Sequence, residues 1–448
     1  MTRTPPTPLP SKSVLAICLA LVAGNAIAQT PTETELARRL DLLAAELTNV
    51  KAQLTQIQQE RAAASLAAPK EVPPATPLAS AAAGQAPQPP VAMGAPAAPT
   101  EPATVLTSYG EINYNRPTKA AQNAVADMRR FVLGYQHRFD DKTKVVAELE
   151  VEHGVSSASD PGEVAVEQAF VERQIMPNLA LRAGLFLMPV GLLNENHEPT
   201  AFYGVERNFV ETAIIPSTWR EGGVQLIGNF DNGLTVQGGI TTSFDLTKWD
   251  AKSSEGKESP LGSIHQEMAL AKAHDLAVFG ALNWRGVPGL LVGGSLFTGN
   301  ATQGQAVAQA RVTLWDLHAR WAPGRWDLST VYARGSIGNS AALNLALIGN
   351  DTLIPKTFDG WYGQAAYKLW SHEDYALSPF VRWEQFNTAR AYADLGPGLT
   401  PAAGVTERVV SLGANFQVSP GIVVKADYQA FRENRDANRV NLGLGWSF

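Results

Sequence analysis

The chain has 448 residues, 45% of them hydrophobic, and a formal net charge of −6 from 42 acidic and 36 basic side chains. That balance excludes the basic footprint of a nucleic-acid binder. No run of about 20 apolar residues is present to make a spanning helix.

The first 28 residues predict a secretory leader. Arg3 and Lys12 precede the short apolar run "VLAICLALVA", and Ala26-Ile27-Ala28 supplies an A-x-A cleavage site. The only cysteine, Cys18, lies in that run, so the exported chain is expected to use no disulfide. Residues 29–63 then predict a coiled-coil helix. Leu36, Leu40, Leu43, Leu47, Val50, Leu54 and Ile57 recur at alternating steps of four and three. Leucine at the a positions (Leu40, Leu47, Leu54) with β-branched residues among the d positions leans toward three or four strands. A single surface helix is the alternative. Residues 64–104 hold 10 Pro and 14 Ala in 41 positions. That composition forms neither helix nor ladder nor core, and predicts a disordered or extended linker.

From residue 105 to 448 the pattern is strand after strand. In "VLGYQHRF", Leu133, Tyr135, His137 and Phe139 alternate with Gly134, Gln136 and Arg138. In "TLWDLHARW", Trp315, Leu317, Ala319 and Trp321 oppose Asp316, His318 and Arg320. Period-two alternation means a sheet with one apolar and one polar face. Sixteen such segments can be placed, beginning near 105, 128, 143, 164, 178, 219, 233, 275, 288, 309, 325, 357, 376, 407, 421 and 438. Tight turn sequences ("DDK", "MPN", "DNG", "VPG", "APGR", "SHEDYA", "SPG") alternate with longer gaps. Short turns on one rim and long loops on the other predict a transmembrane antiparallel β-barrel of the bacterial outer-membrane kind. An even strand count places both barrel ends, and the coil, on the periplasmic side.

Aromatic residues on the apolar phase, among them Trp284, Trp315, Trp361, Trp383 and Tyr428, suit the girdles that barrels set at the lipid interface. The chain closes on "VNLGLGWSF", with Val440, Leu442, Leu444, Trp446 and Phe448 on one face. Trp446 and the terminal Phe448 are read as the signal by which barrel-assembly machinery recognises the last strand.

Residues 188–218 form a long gap rich in apolar side chains, including Leu192, Leu193, Phe202, Tyr203, Phe209, Ile214 and Ile215. A loop of this length is usually functional. Its composition predicts folding inward to narrow the lumen, with Glu195, His197, Glu198, Tyr203, Glu206 and Arg207 as constriction residues. "RAGLFLMPVGLLNENHEPTAFYGVERNFVETAIIPSTWREGGVQL", Arg182 to Leu226, resembles the central segment of the phosphate-selective porin O and P family, as does the final "GLGWSF". The resemblance spans roughly 105–448. It implies trimers of 16-stranded barrels in the outer membrane, with pore arginines and a lysine cluster that hold phosphate. The loop here departs from that pattern: it carries Glu195, Glu198, Glu206 and Glu211 with Arg207, and no lysine.

Strand phase assigns Arg130, Arg138, Arg182, Arg320, Lys368, Arg382 and Lys425 to the pore lining, with Arg220 beside the constriction, and Lys144, Arg285 and Arg439 as further lumenal cations. It assigns Glu148, Glu150, Glu152, Glu221, Asp316, Glu384 and Asp427 to the same face. Each basic residue could equally be an ion-paired wall residue. Rings of charge set selectivity in pores, so near-balance of sign gives at most a weak anion lean. No enzymatic motif is present: in "NHEPT" Ala201 stands where a zinc helix needs its second histidine. The expectation is a non-enzymatic outer-membrane porin that needs no cofactor and no metal. Its expected partners are two further copies of itself, outer-membrane lipid and lipopolysaccharide, the barrel-assembly machinery and small anionic solutes such as phosphate. Alternatives are a general or sugar-passing porin, or a structural barrel tethered through the coil.

Overall fold

The computed structural model describes residues 103–157, 160, 162–305 and 307–448. The leader, the coil with its leucine seam, and residues 64–102 of the linker lie outside the described residues.

Sixteen antiparallel strands form one closed sheet. They are β1 (Thr104–Pro117), β2 (Val125–Asp140), β3 (Thr143–Glu152), β4 (Val164–Met176), β5 (Leu179–Leu187), β6 (Arg220–Asn229), β7 (Leu234–Thr242) and β8 (Leu276–Trp284). There follow β9 (Leu290–Asn300), β10 (Arg311–Trp321), β11 (Trp326–Ile337), β12, β13 (Tyr375–Ala391), β14 (Glu407–Ser419), β15 (Ile422–Phe431) and β16 (Arg439–Ser447). Strand β12 is in two pieces, Thr357–Tyr367 and Trp370–His372, both paired to β13. Each strand pairs with its neighbours in sequence, and β1 pairs with β16 from Tyr109↔Ser447 to Pro117↔Arg439. That last ladder leaves no open edge for water-starved backbone groups, the condition a sheet must meet in lipid.

The seven short connections fall on one rim. At "DNG", "VPG" and "APG" a glycine takes the left-handed conformation the turn needs: Gly233 (φ 81°), Gly289 (φ 76°) and Gly324 (φ 63°). Side chains alternate as the pleat dictates. In β16, Val440, Leu442 and Leu444 are 40–49% exposed on the outside, whereas Asn441 between them is fully buried inside. The outward side chains form a band of exposed apolar residues, as a lipid-facing wall requires.

The core lies inside the barrel. Phe186, Phe279, Phe297, Val312, Leu314, Val331 and Phe358 point inward from β5 and from β8–β12, and are buried. Three connections fold over them: residues 188–219, residues 243–275 and residues 338–356. Trp219 stacks on Phe244 (ring centroids 5.1 Å apart) and meets Phe297 edge-on at 4.8 Å. Leu246, Trp249, Leu261, Ile264 and Ile354 complete the cluster. One side of the lumen is therefore filled by loops. Sequence patterning singled out only the first of the three.

Candidate functional site

The β5–β6 loop crosses the lumen and is tied to itself before it is tied to the wall. Its two ends are pinned together by Asn194. The Asn194 amide donates to the carbonyls of Met188 and Trp219, both at 2.8 Å, and its Oδ1 accepts from the Trp219 N–H at 2.7 Å. A single π-turn, Val210–Ile214, reverses the chain. Within it, Glu211 accepts from the N–H groups of Leu192 (2.6 Å) and Leu193 (2.7 Å), from the Asn208 amide (2.7 Å) and from the Tyr362 hydroxyl (3.2 Å). The sequence shows this carboxylate only as one of four loop acids. It is 4% exposed and organises the loop.

The segment 199–209 is held against β13–β16 and β1. Asp427 accepts from the Val205 N–H at 2.6 Å, and Asn415 donates to the Phe202 carbonyl at 3.0 Å. Arg382 donates to the carbonyls of Tyr203 (3.2 Å) and Glu206 (3.4 Å) while its Nε is 3.0 Å from Glu384. The second oxygen of Glu384 accepts from the Phe209 N–H at 2.7 Å. Asn115 donates to Glu206 at 2.7 Å, and the hydroxyls of Thr200 and Ser447 meet at 2.8 Å. Two inward glycines of β16 make room for this contact. A Cβ on Gly443 would lie 3.2 Å from Val205, and one on Gly445 would lie 2.5 Å from the Pro199 ring. The Lys425 ammonium sits 3.5 Å from the Phe202 ring centroid, is 2% exposed, and makes no hydrogen bond or ion pair among the described residues.

On the opposite flank the loop meets β1 and β4. The Tyr109 hydroxyl lies 2.7 Å from both a Glu167 oxygen and His197 Nε2, and His197 Nε2 lies 2.6 Å from the other Glu167 oxygen. Arg130 contacts Glu111 at 3.0 Å and Glu150 at 3.3 Å, with Glu152 at 3.9 Å. Arg207 donates to Ser217 (2.9 Å) and Thr218 (2.8 Å), and has no carboxylate partner within ion-pair distance among the described residues. Burial, reinforced by the neighbouring Arg130 charge, lowers the Arg207 guanidinium to about 10, so it remains cationic at neutral pH.

The remaining pore candidates divide between wall pairs and rims. Arg182 pairs with Glu172 at 2.9 Å, Arg320 with Asp327 at 2.6 Å, and Lys144 with Glu172 at 3.2 Å. Arg220 is buried and pairs with Glu267 of the β7–β8 loop at 3.2 Å, so it braces that loop. Arg138 is half-buried near the turn end of β2. Lys368 is exposed in the break within β12. Arg439 donates to Gln429 at 2.7 Å. On the loop itself Glu195 and Glu198 are exposed, while His197 is buried. The patterning missed Tyr109, Glu111, Glu167, Asn194 and Asn415. Asn194 belongs to the loop itself and the other four lie on the inner face, yet nothing local shows that Tyr109, Glu167 and Asn415 touch the loop.

No family model matches the chain. An uncharacterised protein of Aquifex aeolicus is 27% identical over 354 residues, covering 77% of this chain and 79% of the relative. Among solved structures, Salmonella typhi OmpF in complex with daunomycin superposes with a TM-score of 0.54 at 12% identity, over 77% of this chain and 97% of that one. The outer-membrane channel DcaP of Acinetobacter baumannii gives 0.50 at 12% identity, with the same coverage. The fold is that of the outer-membrane porins, a closed 16-stranded antiparallel barrel.

Proposed function

We propose that this chain is an outer-membrane porin through which small polar solutes diffuse passively, with the β5–β6 loop as its constriction. The carrying observation is that loop, tied across the interior of a closed barrel by hydrogen bonds to β1, β7 and β12–β16. We further propose a modest preference for small inorganic anions, phosphate among them. Arg207, a buried cation of the loop, has no carboxylate within ion-pair distance among the described residues, and the resemblance of Arg182–Leu226 to the phosphate-selective porins points the same way. The preference is held to be modest because Arg130, Arg182, Arg220, Arg320 and Arg382 each face a carboxylate. That pairing favours a second reading, a general porin without selectivity. The proposed assembly is a trimer in the outer membrane, built among lipid and lipopolysaccharide by the barrel-assembly machinery, with the coil of residues 29–63 joining the copies in the periplasm.

Bilayer reversal potentials in a potassium chloride gradient, repeated with potassium phosphate, test this. The expected result is step-like conductance with an anion-directed potential that declines as salt rises past about 0.1 M, where the screening length is ~10 Å. Conductance without selectivity, or with cation preference, would leave the general porin. Absence of conductance from correctly folded barrels would remove the porin reading.

A further inference from the structure

We propose that the β5–β6 loop is also a strap along the seam between β1 and β16, and that it fixes the register in which the barrel closes. The loop runs along this seam on the inside and holds both strands. On the β1 side His197 Nε2 lies 2.7 Å from the Tyr109 hydroxyl, and Asn115 donates to Glu206 at 2.7 Å. On the β16 side Thr200 meets Ser447 at 2.8 Å, while Pro199 covers Gly445 and Val205 covers Gly443. These contacts follow the ladder itself: Tyr109 is opposite Ser447, Asn113 opposite Gly443 and Asn115 opposite Asn441. Asp427 of β15 and Asn415 of β14 hold the same segment from beyond the seam, accepting from the N–H groups of Val205 (2.6 Å) and Gly204 (3.2 Å). The position of the loop is therefore set by strands other than β16.

This ladder is the one that needs such a device. Every other pair of neighbouring strands is joined by a connecting segment, and tight turns set register where they occur. Strands β1 and β16 are the two ends of the sheet, and β16 follows residues 432–438, a link too long to act as a tight turn. A slip by one residue is excluded because it would turn every side chain to the other face. Outside, however, Val440, Leu442 and Leu444 repeat at every second position, so a slip by two residues presents lipid with nearly the same surface. The inner face distinguishes that slip. Gly443 and Gly445 are two notches, where a Cβ would stand 3.2 Å from Val205 and 2.5 Å from the Pro199 ring. Sliding β16 one way sets Asn441 under Val205, and sliding it the other way sets Ser447 under Pro199. Either move also parts Thr200 from Ser447, and Asn441 from Asp427, to which it donates at 2.7 Å. Only the observed register leaves a glycine in both notches.

Hydrogen exchange and disulfide trapping on the folded full chain in mild detergent test this. Val205→Asp sets a carboxylate beside Asp427 and changes no wall residue. Amides of the seam, residues 109–117 and 439–447, are expected to exchange about tenfold faster in this variant, with amides of the β2–β3 ladder unchanged. Cysteine pairs read the register, since the chain has no cysteine beyond Cys18 of the expected leader. Ile112→Cys with Leu444→Cys joins opposite, outward positions and should crosslink with the loop intact. Ile112→Cys with Leu442→Cys matches the slip that brings Asn441 under Val205, and should crosslink only when Val205→Asp is present. Should Val205→Asp fail to fold, as judged by heat-modifiable mobility, Thr200→Val, which removes only the hydroxyl facing Ser447, is expected to show the same two changes. Exchange that rises equally in both ladders or in neither, or a slipped pair that stays uncrosslinked in the folded variant, overturns the proposal. No current is measured, so the outcome is independent of the porin reading, which conductance tests separately.

Discussion

Replacing Gly445 with alanine should loosen the constriction loop without harming the barrel. The new Cβ would stand 2.5 Å from Cβ and 2.9 Å from Cγ of Pro199. Carbon atoms pack at roughly 3.5–4.0 Å, so the proline ring must retreat by about 1 Å, and being rigid it takes its backbone with it. That backbone is held a few residues on by Asp427, Asn415 and Arg382. Overpacking of this kind costs about 1–3 kcal/mol. At tenfold per 1.4 kcal/mol, the displaced loop becomes about 5- to 150-fold more populated. The strand itself should tolerate the change, because exchanging glycine for alanine stiffens the unfolded chain by about 0.4–1 kcal/mol where the native backbone permits it. Two readouts follow: current noise in the open channel, and trypsin cleavage after Arg207, which is 7% exposed in the seated loop. Both should rise. Gly280→Ala is the control, since its nearest atom beyond the chain neighbours is the Gln237 carbonyl oxygen at 3.8 Å. If Gly445→Ala is as quiet and as resistant as Gly280→Ala, the glycine is not a seat for the loop.

Acid should release the β7–β8 loop before the barrel melts. Burial alone would raise the Glu267 carboxyl, but His265 and Arg220 beside it hold it below its ordinary range. A depressed carboxylate contributes stability above its unfolded value, about 4.3, and loses it as pH falls through the folded value. Loop proteolysis at Lys248 and Lys252 should therefore increase below that pH, and Glu267→Gln should show the increased cleavage already at neutral pH. Deleting Phe448 should reduce folded yield more than conductance. Its N–H donates to the Ser108 carbonyl at 2.9 Å and its carbonyl accepts from the Ser108 N–H at 3.0 Å, so the deletion removes two closing bonds at a side chain that is 70% exposed. Normal yield with altered current would give Phe448 a pore role instead.

Strand positions were legible because one face of each strand meets lipid and the other meets polar groups, and period two records that difference residue by residue. The inward loop was legible from its length and its Leu, Phe and Ile content. Its seats were not: Asp427, Asn415 and the β16 glycines lie more than 200 residues away, and only the register of a closed barrel brings them to Val205 and Pro199. Charge pairing was legible only within one strand. Arg382 and Glu384, two apart on β13, must share a face, whereas the partners of Arg130 come from β1 and β3. The break in alternation was the overlooked signal. Phe279 and Phe297 are apolar on the inward phase, which an open water channel does not favour. They mark where loops pack. The consequence can be tested on two adjacent residues of β9. Phe297 is fully buried against Trp219 and Phe244, and Leu296 beside it is 48% exposed on the outside. Phe297→Ala removes a buried ring worth about 3–5 kcal/mol, and the loss falls on the β5–β6 and β7–β8 loops, because the β9 ladder bonds are made by backbone. Leu296→Ala removes a side chain from the outer face of the same strand. Trypsin should therefore cut the β7–β8 loop much faster in Phe297→Ala, and channel noise should rise with it, while Leu296→Ala matches the parent protein. Equal effects from the two substitutions would mean that inward apolar residues stabilise the wall generally and do not mark loop seats.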